Sequence, residues 1–219
     1  MDNNNTQPDA PRAMRELIPE PALRRLPWYL AYVSTLKARG VAYVSSTTIS
    51  REINVDASQI AKDLSFINIK GKTRIGYEVE ELEKRLSSFL GFNREHNAVM
   101  IGVGSLGAAL IADSGLQRYG LDIVAGFDIK PELVGNTIAG VPIYDMARFG
   151  ELRSRLGAEI AIVAVPVDAA QHVADTLIAH GIKALWNFTP SRLRAPEGIV
   201  IENTSIYAHL AVIYNCLAK

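Results

Sequence analysis

The stretch AVMIGVGSLGAAL, residues 98–110, decides how the chain reads. Ala98, Val99, Met100 and Ile101 make a short buried-strand pattern, and Gly102, Gly104 and Gly107 follow in GxGxxG spacing ahead of a run that suits a helix. Glycines so placed let the chain turn sharply out of a strand, bring backbone amides close to a diphosphate, and aim the positive end of a helix at it. Val103, Ser105 and Leu106 complete this turn. Asp128 stands twenty-one residues past Gly107, at the end of the next predicted strand. There a carboxylate can accept hydrogen bonds from both ribose hydroxyls and repel a 2′-phosphate, so NAD is expected over NADP. Lys130 is a nearby cation that would tolerate a phosphate. The competing reading is a glycine turn that only packs a helix close to a strand.

Toward the C-terminus, short apolar strands alternate with helices, the pattern of a parallel sheet. Strands are expected over 98–101, 123–127, 160–165 and 184–188, with helices after Gly104 and Asp168. Residues 97–203 therefore read as a Rossmann-type unit. From Thr204, Ile206, Leu210, Ile213 and Leu217 fall on one face of a helix with little chain left to cover them. Another subunit is the expected cover, which makes 204–219 a dimerisation helix. Cys216, near its end, reads as a small buried apolar residue, with a redox-sensing thiol as the lesser alternative.

Toward the N-terminus, a linker over 91–97 leads back to a different pattern. Residues 1–18 are polar and Asn/Pro-rich without periodicity, as expected of a disordered tail. Pro19 and Pro21 open a helix whose stripe is Leu23, Leu26, Leu30 and Val33, with Pro27 as a kink site and Gly40 as its end. Ser45 or Ser46 can cap a second helix carrying Ile49 and Ile53. A third begins with Asp56 and Gln59 spaced as a capping box, Ile60 and Leu64 facing inward and Ser58, Gln59, Ala61 and Lys62 facing outward. Two short helices at this spacing match a helix-turn-helix. Residues 69–77 then read as strand, turn and strand, a wing with Lys70, Gly71, Lys72, Thr73 and Arg74 at its tip and Gly71 supplying the turn. Val79, Leu82, Leu86 and Leu90 make a last helix stopped by Gly91, so 19–91 is expected to be a winged helix domain.

Net charge is zero, but it is unevenly spread: residues 21–77 hold nine Lys and Arg against three Asp and Glu. A positive surface confined to one segment, with Lys70, Lys72 and Arg74 on a wing and Lys62, Ser58 and Gln59 on a groove-entering helix, suits double-stranded DNA. Ser45 and Ser46 join them as candidate DNA contacts. A small helical substrate domain with a merely solvated basic surface is the alternative. Little chain follows the glycine turn to form a substrate domain, and no metal or nucleophile spacing is present. His96 in the linker, His172 and His180 on a helix and His209 on the last helix read as surface or interface residues, not as catalysts. No apolar run approaches membrane length, no signal-like stretch opens the chain, and Cys216 is the only cysteine, so a reducing cytoplasm is expected.

From Pro19 onward the chain resembles the Rex redox-sensing transcriptional repressors. Pro21, Leu23, Arg25, Leu26, Pro27 and Tyr29 fit that family's opening motif, Ser45 and Ser46 its second helix, and Gln59, Lys62, Asp63, Leu64 and Ser65 its recognition helix. Gly71, Lys72, Gly76 and Tyr77 fit its wing. Gly102, Gly104, Leu106, Gly107, Phe127 and Asp128 fit the Rossmann half, followed by Val165, Pro166, Ala170, Gln171, Val173, Ala174, Asp175, Asn187, Phe188 and Pro190. The resemblance implies a homodimer with a domain-swapped C-terminal helix, which binds operator DNA and is released by NADH, NAD+ competing without releasing it. It also adds Val165, Pro166, Asn187 and Phe188 to the NADH/NAD+ contacts. Five positions depart from the family pattern: Ala61 stands for an arginine, Thr73 and Arg74 for an arginine and a glycine, and Ala31 and Ser205 for an arginine and an aspartate that pair. A small NAD(H)-dependent oxidoreductase with a basic appendage, and a DNA-binding regulator answering to another nucleotide, stay open as alternatives.

Overall fold

The computed structural model describes residues 18–217, in two compact units that divide between Asn93 and Arg94. Of the expected tail only Ile18 falls among the described residues, and it packs half-buried against the first core.

In the first unit α1 (Glu20–Ala38) has Pro21 in its first turn, where no N–H is needed. One face buries Ala22, Leu26, Tyr29, Leu30, Val33 and Leu36. Leu23, expected on that stripe, is 41 % exposed. The spacing back from Leu26 and Leu30 continues in steps of four to Ala22, which takes the inward position instead. Helix α1 runs on through Pro27, where one backbone hydrogen bond is missing.

Ser45 caps α2 (Ser46–Ile53), its Oγ accepting from the Thr48 N–H at 3.0 Å, and Asn54 ends that helix in the left-handed conformation. Asp56 caps α3 (Ala57–Phe66) by accepting from the Ser58 N–H at 2.7 Å. The expected capping box does not form, because the Gln59 amide turns away to Asp63. Strand β1 (Tyr43–Val44) pairs antiparallel with β2 (Tyr77–Glu78), which leads into α4 (Val79–Leu90), closed by Gly91 at φ 79°.

The wing is smaller than expected: a single bridge, Lys72 to Gly76, closes a tight hairpin, and Tyr77 pairs with Val44. Its turn is made by Arg74 at φ 63° and Gly76 at φ 94°, not by Gly71, whose φ is not positive. Leu26, Tyr29, Leu30, Val33, Ile49, Ile60, Leu64, Leu82 and Leu86 meet in one core. Each such aliphatic side chain contributes about 1.5–3 kcal/mol on burial.

The second unit is a seven-stranded sheet in the order β5-β6-β4-β3-β7-β8-β9. Its strands are β3 (His96–Ile101), β4 (Leu121–Asp128), β5 (Thr137–Ile138), β6 (Val141–Asp145), β7 (Ile160–Val163), β8 (Ala184–Asn187) and β9 (Val200–Asn203). All pairs are parallel except β5 with β6. Taken in chain order, the six parallel strands lie 3-2-1-4-5-6, the Rossmann arrangement with its switch point between β3 and β7.

Strand β3 begins at His96, so the linker is shorter than 91–97 and His96 belongs to the sheet. Strands β5, β6 and β9 are additions to the four expected. They lack a continuous apolar run: β6 holds Pro142, and β9 is an exposed edge with only Ile201 packed inward. The helices are α5 (Ser105–Ala112), α6 (Ser114–Arg118), α7 (Phe149–Leu156), α8 (Ala170–Ala179) and α9 (Ile206–Leu217). Helix α9 buries no residue, and Cys216 on it is exposed, not buried as expected.

Candidate functional site

At the switch point lies a cavity of about 560 Å³, lined by the ends of β3, β4 and β7 and the start of α8. Each glycine of the turn has its own reason. Gly102 has φ +85°, and a Cβ there would stand 2.6 Å from the Ala164 carbonyl oxygen. A Cβ on Gly107 would stand 2.1 Å from the Gly102 carbonyl oxygen, so this glycine lets α5 approach the strand. A Cβ on Gly104 would meet nothing within 4 Å, and that residue lines the cavity. The space a side chain would take there is open to a ligand. Beside it, the first amides of α5, on Ser105, Leu106 and Gly107, have no carbonyl one turn back within the helix and carry its positive end.

Asp128 closes the other side. Its Oδ2 accepts from the Val103 N–H at 2.6 Å, and its Oδ1 accepts from the N–H groups of Ile129 and Lys130 at 2.8 and 3.0 Å. Three backbone donors thus hold a 9 % exposed carboxylate at the cavity wall, and Oδ2 keeps a lone pair for a further donor. Lys130, Val165 and Pro166 also line the cavity, whereas Val103 is buried with its N–H committed to Asp128.

Asn187 is brought elsewhere. It is fully buried, its Nδ2 donating to the Ser191 carbonyl and to Asn203 Oδ1 and its Oδ1 accepting from Thr189, so its polar atoms organise the loop after β8. Phe188 packs on Trp186 at 4.8 Å and is not part of the cavity lining. Met146, Asp168, Ala169 and Val173 line the cavity and were not among the expected residues. Met146 follows β6, the strand that sequence patterning did not reveal. The other three open α8, whose start after Asp168 was the available signal.

In the first unit, Lys62, Lys70, Lys72 and Arg74 are exposed. Lys72 lies 3.9 Å from Glu78 and 5.7 Å from the Tyr43 ring centroid. Ser45 and Ser46 sit half-buried at the start of α2, and the exposed Ser58 turns its hydroxyl to Asp56 at 2.5 Å.

Beneath the outer face of α3 lies a charged group whose partners come largely from α1. Asp63 is fully buried and accepts from Arg25 Nε at 2.7 Å and Nη2 at 2.8 Å, Tyr29 Oη at 2.6 Å, and Gln59 Nε2 at 2.7 Å. Burial pushes the Asp63 carboxyl up, but these donors outweigh it and hold it below the ordinary carboxylate range. Hydrogen bonding to Asp63 raises the Arg25 guanidinium above its usual value, and burial chiefly raises the Tyr29 hydroxyl.

A family model for a DNA-binding protein N-terminus matches residues 17–65, and a CoA binding domain model matches residues 93–191. The chain is 58 % identical to the redox-sensing transcriptional repressor Rex of Bacteroides fragilis, over 91 % of each chain. It is 54 % identical to Rex of Porphyromonas gingivalis, over 90 % of this chain and 91 % of that one. The chain belongs to the Rex family of redox-sensing transcriptional repressors. Among solved structures, RSP in complex with β-NAD+ and operator DNA aligns with a TM-score of 0.88 at 34 % identity, covering 92 % of this chain and 93 % of that chain. RSP in complex with β-NADH aligns at 0.83 and 35 % identity, covering 92 % and 94 %. These Rex relatives are named as repressors, not as enzymes, although the fold is one that dehydrogenases share.

Within the Rex pattern the departures have visible local consequences. Ser205 caps α9, its Oγ accepting from the Ala208 N–H at 3.1 Å, and Ala31 is exposed on α1. Neither can form an ion pair. Arg74, standing for a glycine, takes up the left-handed conformation that a glycine would adopt without strain. No helix among the described residues is long and apolar enough to cross a membrane.

Proposed function

We propose that this repressor binds operator DNA through α2, α3 and the wing, binds NADH or NAD+ in the cavity at the switch point, and leaves its operator when NADH binds. In this reading 19–91 is the DNA-binding domain, the sheet unit that opens at His96 and runs to residue 203 the nucleotide domain, and 204–219 the helix through which two copies associate. Ser45, Ser46, Ser58, Gln59, Lys62, Lys70, Lys72 and Arg74 face the duplex. Gly102, Gly104, Ser105, Leu106, Gly107, Asp128 and Lys130 hold the diphosphate and adenosine ribose, and Val165 and Pro166 border the nicotinamide end. The setting is the cytoplasm, where both polyanions are found.

The observation that carries the reading is the open space at Gly104 facing the pinned carboxylate of Asp128. A diphosphate fits where a Cβ would meet nothing, the amides that open α5 suit its charge, and Asp128 retains acceptor capacity for a ribose hydroxyl. The bound dinucleotide supplies the redox signal through its nicotinamide, which is cationic when oxidised and neutral when reduced. To move a two-state dimer from 1 % to 99 % released, NADH must favour one arrangement by roughly 10⁴-fold. Helix α9, with Ile206 and Ile213 about half exposed and Leu217 at 79 %, supports association of two copies.

The test is titration of NADH, NAD+, NADPH and ATP into a complex of the full chain with promoter DNA. Release by NADH alone is expected, and indifference to all four removes ligand control. Light scattering is expected to give twice the 23.9 kDa of one chain.

A further inference from the structure

The carboxylate of Asp63 is fully buried and accepts four hydrogen bonds, and it lies one helical turn from Gln59 on α3. A carboxylate only accepts hydrogen bonds, so the side of the Gln59 amide that meets it is the NH₂ group. An isolated surface glutamine can flip its amide freely and offers no preferred polarity. Gln59 cannot, because turning its carbonyl toward Asp63 would set oxygen against a charged oxygen. Asp63 in turn is held by the two-pronged contact from Arg25 and by Tyr29, both on α1, so it does not follow the Gln59 side chain if that moves.

We infer that Gln59 is a base-reading residue of this repressor and that Asp63 positions it by fixing the polarity of its amide. The amide gives one N–H to Asp63 and keeps its carbonyl and second N–H for the duplex. That remaining donor and acceptor match the N7 and N6 edge of adenine in the major groove, the pairing glutamine makes best. Asp63 acts through Gln59 and touches no base. Arg25 and Tyr29 make the support rigid, so little side-chain freedom is lost when the base is met. This inference rests on the proposed reading of α3 as the groove-entering helix.

The experiment is selection of duplexes from a pool with a randomised core by the full-length chain, followed by affinity measurements on single-base variants of the winner. The unaltered chain is expected to prefer adenine at one position per half-site by roughly tenfold or more. Gln59→Ala is expected to lose that preference and keep preferences elsewhere. Asp63→Asn, whose amide can donate as well as accept, frees the Gln59 amide to flip and is expected to relax the same position. A merely structural Asp63 would instead weaken binding to every sequence alike and leave the profile unchanged.

An unchanged profile for Gln59→Ala overturns the inference while leaving the DNA-binding reading intact. A chain that selects no sequence overturns both. Gln59→Ala removes a half-buried surface side chain and leaves the bonds among Asp63, Arg25 and Tyr29 in place, so its result stands even if Asp63→Asn is too unstable to assay.

Discussion

The carboxylate of Asp128 accepts a hydrogen bond from the backbone N–H of Val103 at 2.6 Å across 25 residues of chain. This bond ties the glycine turn after β3 to the end of β4, so the two walls of the cavity are set by one group. Together with the N–H groups of Ile129 and Lys130 it gives Asp128 a structural task beside any contact with a ribose.

Asp128→Ala leaves three backbone donors without that acceptor, each bond to a charged group being worth about 1.5–3 kcal/mol. A fall in thermal stability and at least a tenfold loss of NADH affinity by fluorescence titration are expected together. Asp128→Asn keeps one acceptor oxygen and should fall between. Wild-type NADH affinity in Asp128→Ala would separate this residue from the ribose.

Gly104→Ala and Gly107→Ala should fail in opposite ways. The Gly104 methyl meets nothing within 4 Å, so the fold persists and nucleotide affinity drops tenfold or more. The Gly107 methyl meets a backbone oxygen at 2.1 Å, which a side chain cannot yield to, and the expected result is destabilisation of roughly 1–3 kcal/mol. Thermal unfolding with and without NADH distinguishes the two, and equal melting temperatures would refute the assignment.

Lys62→Ala combined with Lys72→Ala removes two exposed cations. Each lost phosphate contact reduces the slope of log affinity against log salt by about 0.9, so the double variant should show a slope shallower by roughly 2. Its NADH affinity should be unaltered. Retention of the full slope would mean that the duplex lies elsewhere.

Arg74→Gly relieves a side chain held at φ 63° while deleting a wing cation. A gain of about 1 kcal/mol in stability is expected from the backbone, accompanied by weaker DNA binding. Both are read on one preparation, by denaturant unfolding and by titration with promoter duplex.

Asp63 makes stability depend on acid. Its folded carboxyl lies below the unfolded value of about 3.9, so the folded state binds fewer protons there. The contribution is fully present above that pH and is lost as pH falls through the lower folded value. Stability of the unaltered chain should therefore drop more steeply below about pH 4 than that of Asp63→Asn, and parallel curves would count against the assignment.

What the residues announced in advance rests on short-range physics. A glycine turn after an apolar run, stripes at three and four, a serine or aspartate ahead of a helix: these act over a few positions, and α1, α2, α3, α4, β3, β4, β7 and β8 were legible from them. Strand β6 was hidden because it carries a proline, and β9 because its apolar residues Val200 and Ile201 give way at once to Glu202 and Asn203. The partners of the polar groups were settled only by packing. Asp63 meets Arg25 across 38 residues, Asn187 meets Asn203 across 16, and the Gln59 amide leaves its local helix cap for a buried carboxylate. A side chain's donors and acceptors go to whatever the fold brings within about 3 Å, and no local pattern records that distance.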